Sequence, residues 1–339
     1  MASVEMWTMG FAAPRRAGTQ GERAEAEGWD GILLVDSQNL SGDPYVALAV
    51  TAGATERLLL GTGVTNPVTR HPAVTATAAA SVHALSGGRM VLGIGRGDSS
   101  LFHLGQEPAP VGAFATYLQR LQGYLRGAPV DLDGFESTNR WIASSGLAKV
   151  PVDVAATGPQ VVRVAARTAD RVTFAVGANP ERLTECIGWA RQARHDAGLD
   201  PDGQSYGAWV NVVPGDDVAQ CRQLARGGLA TFAHFSSFSG RAAAGTPAQD
   251  RDVVERLHRS YDREHHTQSG ASHTALLDDD FVDRWAAVGR PEQCAARLGE
   301  LVDAGAERLV LIGASADSDR EAALRARAVT VAEILPVFR

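Results

Sequence analysis

The order of apolar runs and helical patterns predicts an α/β protein, a TIM (β/α)8 barrel with insertions at the C-terminal face of its strands. Three observations predict it. Short apolar runs alternate with helical patterns along the chain, as parallel βαβ units require. The runs are continuously apolar rather than alternating, which fits strands covered on both faces. Eight such runs in 339 residues suit one barrel, read as a single domain over 1–339. A doubly wound sheet is the competing architecture. It usually has fewer strands and a G-x-G-x-x-G turn after the first, which "TMGFAAPRR" does not supply.

The strands are expected at 4–10, 31–37, 57–64, 89–95, 150–156, 171–177, 206–213 and 308–314. Helical patterns fill 14–27, 44–56, 71–86, 112–126, 158–169, 179–198, 217–235 and 290–304, and one more closes the chain at 319–337. The first helix ends in the glycine of "AEGWDG" and the third in "ALSGGRM". The second starts with Asp43 as N-cap and Pro44 at the first helical position, and Asn179 with Pro180 repeats the device. Segments 127–149 and 236–289 exceed what a bare barrel needs. Long loops in barrels are usually lids or binding loops, so both are expected to overhang the C-terminal ends of the strands.

Composition excludes several classes. The net charge of −7 argues against a nucleic-acid surface. Cys186, Cys221 and Cys294 lie far apart and no CxxC occurs, so metal clusters and disulfide frameworks lack support. The N-terminus has no basic segment followed by an apolar core, and no apolar run is long enough to cross a membrane. The expectation is a soluble cytoplasmic protein that binds a small molecule and no metal.

Barrel active sites sit at the C-terminal ends of the strands, so those ends carry the candidates. The first strand holds Glu5 among apolar neighbours, and a carboxylate inside a barrel is costly unless paired or protonated. The second ends in Asp36, Ser37, Gln38 and Asn39. The third runs into "GTGVTNPVTRHP" (61–72), the fourth into "GIGRGDSS" (93–100), the fifth into "AATGPQ" (155–160) and the sixth into "VGANP" (176–180). Glycine lets a flat ligand lie against the backbone. Free N–H groups at a helix start suit a phosphate. The pattern fits a planar, phosphorylated cofactor across the mouth of a barrel.

These residues carry a family resemblance. The sequence resembles the bacterial luciferase-like flavin-dependent superfamily, and "GTGVTNPVTRHP" with "LSGGRMVLGIGRGD" is similar to methylenetetrahydromethanopterin reductase and related coenzyme F420-dependent enzymes. "GRPEQCAARLGELVDAGAERLVLIG" near the C-terminus resembles the superfamily too. The resemblance implies hydride transfer between the deazaflavin F420 and a small organic substrate. Two alternatives stay open: an FMN-dependent monooxygenase using reduced flavin and O₂, and a non-catalytic flavin-binding protein. The resemblance also implies a non-prolyl cis peptide at Gly63–Val64, with Val64 backing the ring and Thr65 and Asn66 bonding to the ring edge or to the bulge itself. Asp98 and Ser99 match positions near the ring, although a Gly-rich turn with an N-cap explains them equally. Thr157, Gly158, Gly177 and Ala178 match the phosphate-tail site.

Glu5 aligns with a glutamate of the reductase and is the candidate proton donor, with an ion pair to a neighbouring strand as the other reading. Asp36, at a strand's C-terminal end, is the second catalytic candidate. Arg70 and His71 begin the third helix, where capping alone accounts for His71. His265 and His266 read as a solvated loop, and Trp7, Trp141 and Trp209 as pocket or core aromatics. Helices 44–56 and 71–86 are apolar on all sides, as expected of a homodimer interface.

Overall fold

The computed structural model describes residues 4–237 and 241–339. Eight parallel strands form the barrel: β1 (Glu5–Gly10), β2 (Gly31–Leu34), β3 (Leu59–Thr62), β4 (Met90–Ile94), β5 (Val152–Ala156), β6 (Arg171–Phe174), β7 (Ser205–Pro214) and β8 (Arg308–Ile312). The hydrogen-bonded order is β7-β8-β1-β2-β3-β4-β5-β6, and β6 pairs with β7. Register is in step: Ile32 faces Leu60, and Trp209 faces Val310. The expected doubly covered strands are present, since every residue of β2 and β4 is buried.

By contact the chain divides into two compact units. One runs Thr8–Ala155 with Val164–Val172, and the other holds the described residues up to Trp7 with Ala156–Arg163 and the chain from Thr173 onward. In the first unit, helix Pro14–Glu27 ends where Gly28 takes φ 86°, and Asp43 caps Pro44–Ala54 by accepting from the Tyr45 and Val46 amides.

Three expectations are corrected. Segment 127–149 does not overhang the C-terminal strand ends. It joins the end of helix Val111–Leu125 to the start of β5, so it belongs to the opposite face. It folds as a hairpin, Val130–Leu132 with Phe135–Ser137, closed by Asp133 and Gly134 at φ 56° and 97°, followed by helix Arg140–Ser145. The pattern at 217–235 is helical (Val218–Phe235) but is not the barrel helix that leads to β8. The chain returns at Ala287–Gly289 to pair with Val212–Pro214 at the end of β7, and helix Pro291–Asp303 then leads to β8. Helix Val218–Phe235 therefore belongs to the excursion, held by the Gly227 amide and the Leu224 carbonyl on Ser315 Oγ. The last helix is not continuous to 337: Arg320–Val329 widens into a π turn at Thr330–Ile334 and tightens into a 3₁₀ turn, where Pro336 has no N–H to offer.

No described helix is long and apolar enough to cross a membrane.

Candidate functional site

In the first unit β3 stops pairing at Thr62 and resumes contact with β4 through a parallel bridge between Thr65 and Ile94. The Thr65 amide donates to the Gly93 carbonyl (3.0 Å), the Gly95 amide to the Thr65 carbonyl (2.9 Å), and Thr62 Oγ1 to the Gly93 carbonyl (2.6 Å). Gly63 and Val64 lie in the resulting bulge, and the bond between them is cis, as the resemblance implies. Glycine at 93 is required by this closeness, because a Cβ there would overlap the Thr62 carbonyl oxygen. A Cβ on Gly95 would reach Val64 Cγ2 at 3.1 Å. The half-buried Val64 side chain therefore rests on backbone that carries no side chains of its own.

Asn66 is buried, and its carbonyl oxygen belongs to the loop. Oδ1 accepts from the Val68 and Thr69 amides (both 3.0 Å) and from Thr69 Oγ1 (3.2 Å). These bonds are to the loop that follows Asn66, not to Gly63 or Val64 of the bulge. Asp36 is equally buried: Oδ2 accepts from Arg70 Nη1 at 2.5 Å and Oδ1 from Gln38 Nε2 at 2.6 Å. Arg70 also bonds Asp43 (2.9 Å) and lies over the Tyr45 ring at 5.1 Å, so one guanidinium ties the ends of β2 and β3 to a helix cap. Burial lowers the Arg70 pKa, but Asp36 and Asp43 outweigh it and raise the net value. Burial pushes the Tyr45 phenol well up, while Arg70 and the Thr65 hydroxyl pull the other way. His71 caps helix Pro72–Leu85, Nδ1 accepting from the Ala73 amide. Asp98 is buried at the N-cap position of the short helix Ser99–Phe102, but its side chain makes no capping bond. The Ser99 side chain lies outside the described residues.

The other candidates belong to the second unit. Glu5 opens β1, five residues from the strand end at Gly10, and Oε2 accepts from Trp7 Nε1 at 2.9 Å. Glu5 therefore stands at the N-terminal end of β1, whereas barrel sites lie at the C-terminal ends of the strands. Thr157 Oγ1 donates to the Phe235 carbonyl (3.2 Å), and a Cβ on Gly158 would meet nothing within 4 Å, so that position borders open space. Gly177 has φ 78°, and a Cβ there would press on Trp285 Cε3 at 2.9 Å. The Ala178 amide is held by the Trp285 carbonyl (2.8 Å). Phe235–Gly240 is described only as far as Ser237.

The aromatics separate. Trp7 is core, Trp141 is 45% exposed on helix Arg140–Ser145, and Trp209 stacks on Phe232 at 5.9 Å. His265 bonds Asp262 on the surface, whereas His266 is hydrogen-bonded to the Tyr261 hydroxyl at 2.7 Å. Among the described residues no group of three or more His, Cys, Asp or Glu is placed to hold a metal ion. Cys186, Cys221 and Cys294 are buried free thiols, and burial pushes Cys186 and Cys294 up to about 12.

Sequence reasoning missed a buried polar cluster behind Gly177. Asp250 is fully buried, with Oδ1 accepting from Arg284 and Oδ2 from Trp285 Nε1 at 2.8 Å. Arg182 is 3% exposed; Nη1 donates to the Val176 carbonyl (3.0 Å) and the guanidinium lies over Trp285 at 4.7 Å. In sequence both are single charges in polar segments, and such residues are mostly exposed.

The luciferase-like monooxygenase family matches residues 2–308. The chain is 28% identical over 309 residues to 5,10-methylenetetrahydromethanopterin reductase of Methanolobus tindarius, covering 89% of this chain and 91% of that one. It is 31% identical over 201 residues to an F420-dependent hydroxymycolic acid dehydrogenase of Mycobacterium tuberculosis, covering 55% and 54%. In fold it resembles the coenzyme F420-dependent tetrahydromethanopterin reductase of Methanopyrus kandleri, with TM-score 0.74 over 100% of both chains at 20% identity. A match running from the second residue into β8 takes in nearly the whole barrel, and the chain belongs to the luciferase-like monooxygenase family.

Proposed function

We propose that the protein is an oxidoreductase that moves a hydride between coenzyme F420 and a small organic substrate. The observation that carries this reading is the likeness to a reductase along most of the chain and to an F420-dependent dehydrogenase over half of it. Two features of the chain fit such a cofactor. The half-buried Val64, packed on Gly93 and Gly95, offers an apolar side chain to a flat ring, and open space borders Gly158 where a phosphate tail would pass. When bound, a deazaflavin supplies two electrons as hydride and, lacking the flavin's reactive ring nitrogen, makes no productive use of O₂.

In this reading Val64 backs the ring, Thr65 holds the bulge in shape and Asn66 holds the loop that follows it. Asp98 and Ser99 lie toward the ring. Thr157, Gly158, Gly177 and Ala178 hold the phosphate end. Asp36 acts through Arg70, fixing the loops that frame the ring rather than exchanging a proton, since both its oxygens are occupied. A homodimer through helices Pro44–Ala54 and Pro72–Leu85 belongs to the same reading.

The family's name favours a second reading, an FMN-dependent monooxygenase. Fluorescence titration of the purified protein with F420 and with FMN separates the two, and an oxygen electrode with reduced FMN and the protein separates them by reaction. Binding of F420 without oxygen uptake supports the proposal; FMN binding with substrate-dependent oxygen uptake replaces it. A protein that binds a flavin but turns over with neither is the non-catalytic alternative.

A further inference from the structure

Arg182 is the third residue of helix Pro180–Asp196, directly after the β6 end that carries Gly177 and Ala178. Its partners are the Val176 carbonyl at 3.0 Å, Ser236 Oγ at 3.5 Å and the face of Trp285 at 4.7 Å. None of them is charged. Among the described residues no carboxylate forms an ion pair with it. Asp250, the buried acid nearby, is taken by Arg284 and Trp285, and Glu185, one turn along the helix, is exposed to water. Glu185 and Asp250 favour the charged guanidinium only through space, and a buried charge with no carboxylate in contact is costly to keep. Burial lowers the guanidinium to about 10, so it stays charged at neutral pH.

The surroundings place this charge behind a cradle. Gly177 lies against the same Trp285 ring that Arg182 covers, and the Ala178 amide is held by the Trp285 carbonyl. Ser236 follows Phe235, whose carbonyl holds Thr157 Oγ1. One cation thus backs the residues that the proposed reading gives to the phosphate end. We infer that Arg182 is a specificity-determining residue: its buried positive charge selects ligands that carry a phosphate ester at the Thr157–Ala178 cradle over the same ring system without one. The inference rests on the cofactor reading and deepens it. Arg182 is buried, so it acts through its field and through the backbone it holds.

The test compares phosphorylated and phosphate-free forms of each ring system, F420 against its phosphate-free deazaflavin core and FMN against riboflavin, by fluorescence titration. The two pairs also distinguish which phosphate ester the site takes. Wild type is expected to prefer the phosphorylated member of one pair. Arg182→Met, which fills the volume without the charge, is expected to lose about tenfold or more of that preference while keeping its affinity for the phosphate-free member. Its melting temperature is expected to fall only slightly, because the lost bond to the Val176 carbonyl and the lost contact with Trp285 are offset by removing the cost of burying the charge. Arg182→Lys keeps the charge and most of the preference. Equal loss for both members, a failure of Arg182→Met to fold, or unchanged preference in Arg182→Met overturns the inference. Absence of any preference in wild type overturns it while leaving the cofactor reading standing. Wild type that binds neither pair overturns both.

Discussion

Gly93 and Gly158 are both glycines at strand ends, yet their surroundings demand opposite outcomes. A side chain at Gly93 meets the Thr62 carbonyl, so Gly93→Ala must part β3 from β4 beside the bulge. We expect a loss of about 2 kcal/mol or more in urea unfolding, the usual cost of overpacking. Gly158 borders open space, so Gly158→Glu should fold with an unchanged melting temperature. It puts a carboxylate at the proposed phosphate end, and cofactor affinity should fall at least about tenfold. Unchanged affinity in that variant removes the phosphate assignment. Asn66→Ala frees the Val68 and Thr69 amides from their acceptor and should cost about 2 kcal/mol. If Asn66 served the ring alone, stability would not change.

The hairpin Val130–Leu132/Phe135–Ser137 and the excursion beginning at helix Val218–Phe235 both interrupt the barrel pattern, but they differ in what they reach. The hairpin lies among the connections that enter strands, away from the C-terminal strand ends. Gly134→Val forces a β-branched residue to φ 97° with no clash to blame, and the strain should cost about 1–2 kcal/mol. Cofactor affinity should be unaffected, and a large affinity loss in a folded Gly134→Val protein contradicts the placement. The excursion, in contrast, brings the Phe235 carbonyl to Thr157 and the Trp285 carbonyl to Ala178. Helix Val218–Phe235 therefore supports the proposed phosphate end, with Leu229, Val254, Phe281 and Trp285 packed together.

Stability of the whole molecule should depend on pH through its buried histidines. His83 and His273 are nearly inaccessible, and burial lowers both below the ordinary value of 6.5. The unfolded chain then takes up protons that the folded chain refuses, so stability is full above about pH 6.5 and declines as pH falls below it. Melting curves at about pH 7.5 and about pH 5.5 should show that decline, and His83→Leu should flatten it. The proposed homodimer is tested at the same scale. Val46, Val50 and Val74 stay exposed, at 54%, 44% and 55%, on the two helices expected at the interface. Light scattering should give a dimer mass, and Val50→Glu should give a monomer with unchanged melting of the barrel. A monomeric wild type at micromolar concentration refutes the dimer.

Continuous apolar runs, capped helices and glycine-rich strand ends were legible in the sequence because each is a local consequence of residue type. They gave the barrel and most of its strands and helices, whereas the bulge at Gly63–Val64 came from the family resemblance. Asp43, His71 and Asn179 were legible as caps for the same reason: a cap bonds its own next turn. What partners a side chain meets across the fold was not legible. Asp36 gives no sign in sequence of the arginine thirty-four residues on that occupies it, nor Asn66 that its oxygen serves its own loop. The excursion at 217–289 copies a barrel helix in its periodicity, and only the pairing of Ala287–Gly289 with the end of β7 shows otherwise. Arg182 is the extreme case. Local pattern sets which residues can form a strand or a helix turn, but burial and electrostatic partnership are properties of the assembled barrel, where segments far apart in sequence enclose one charge.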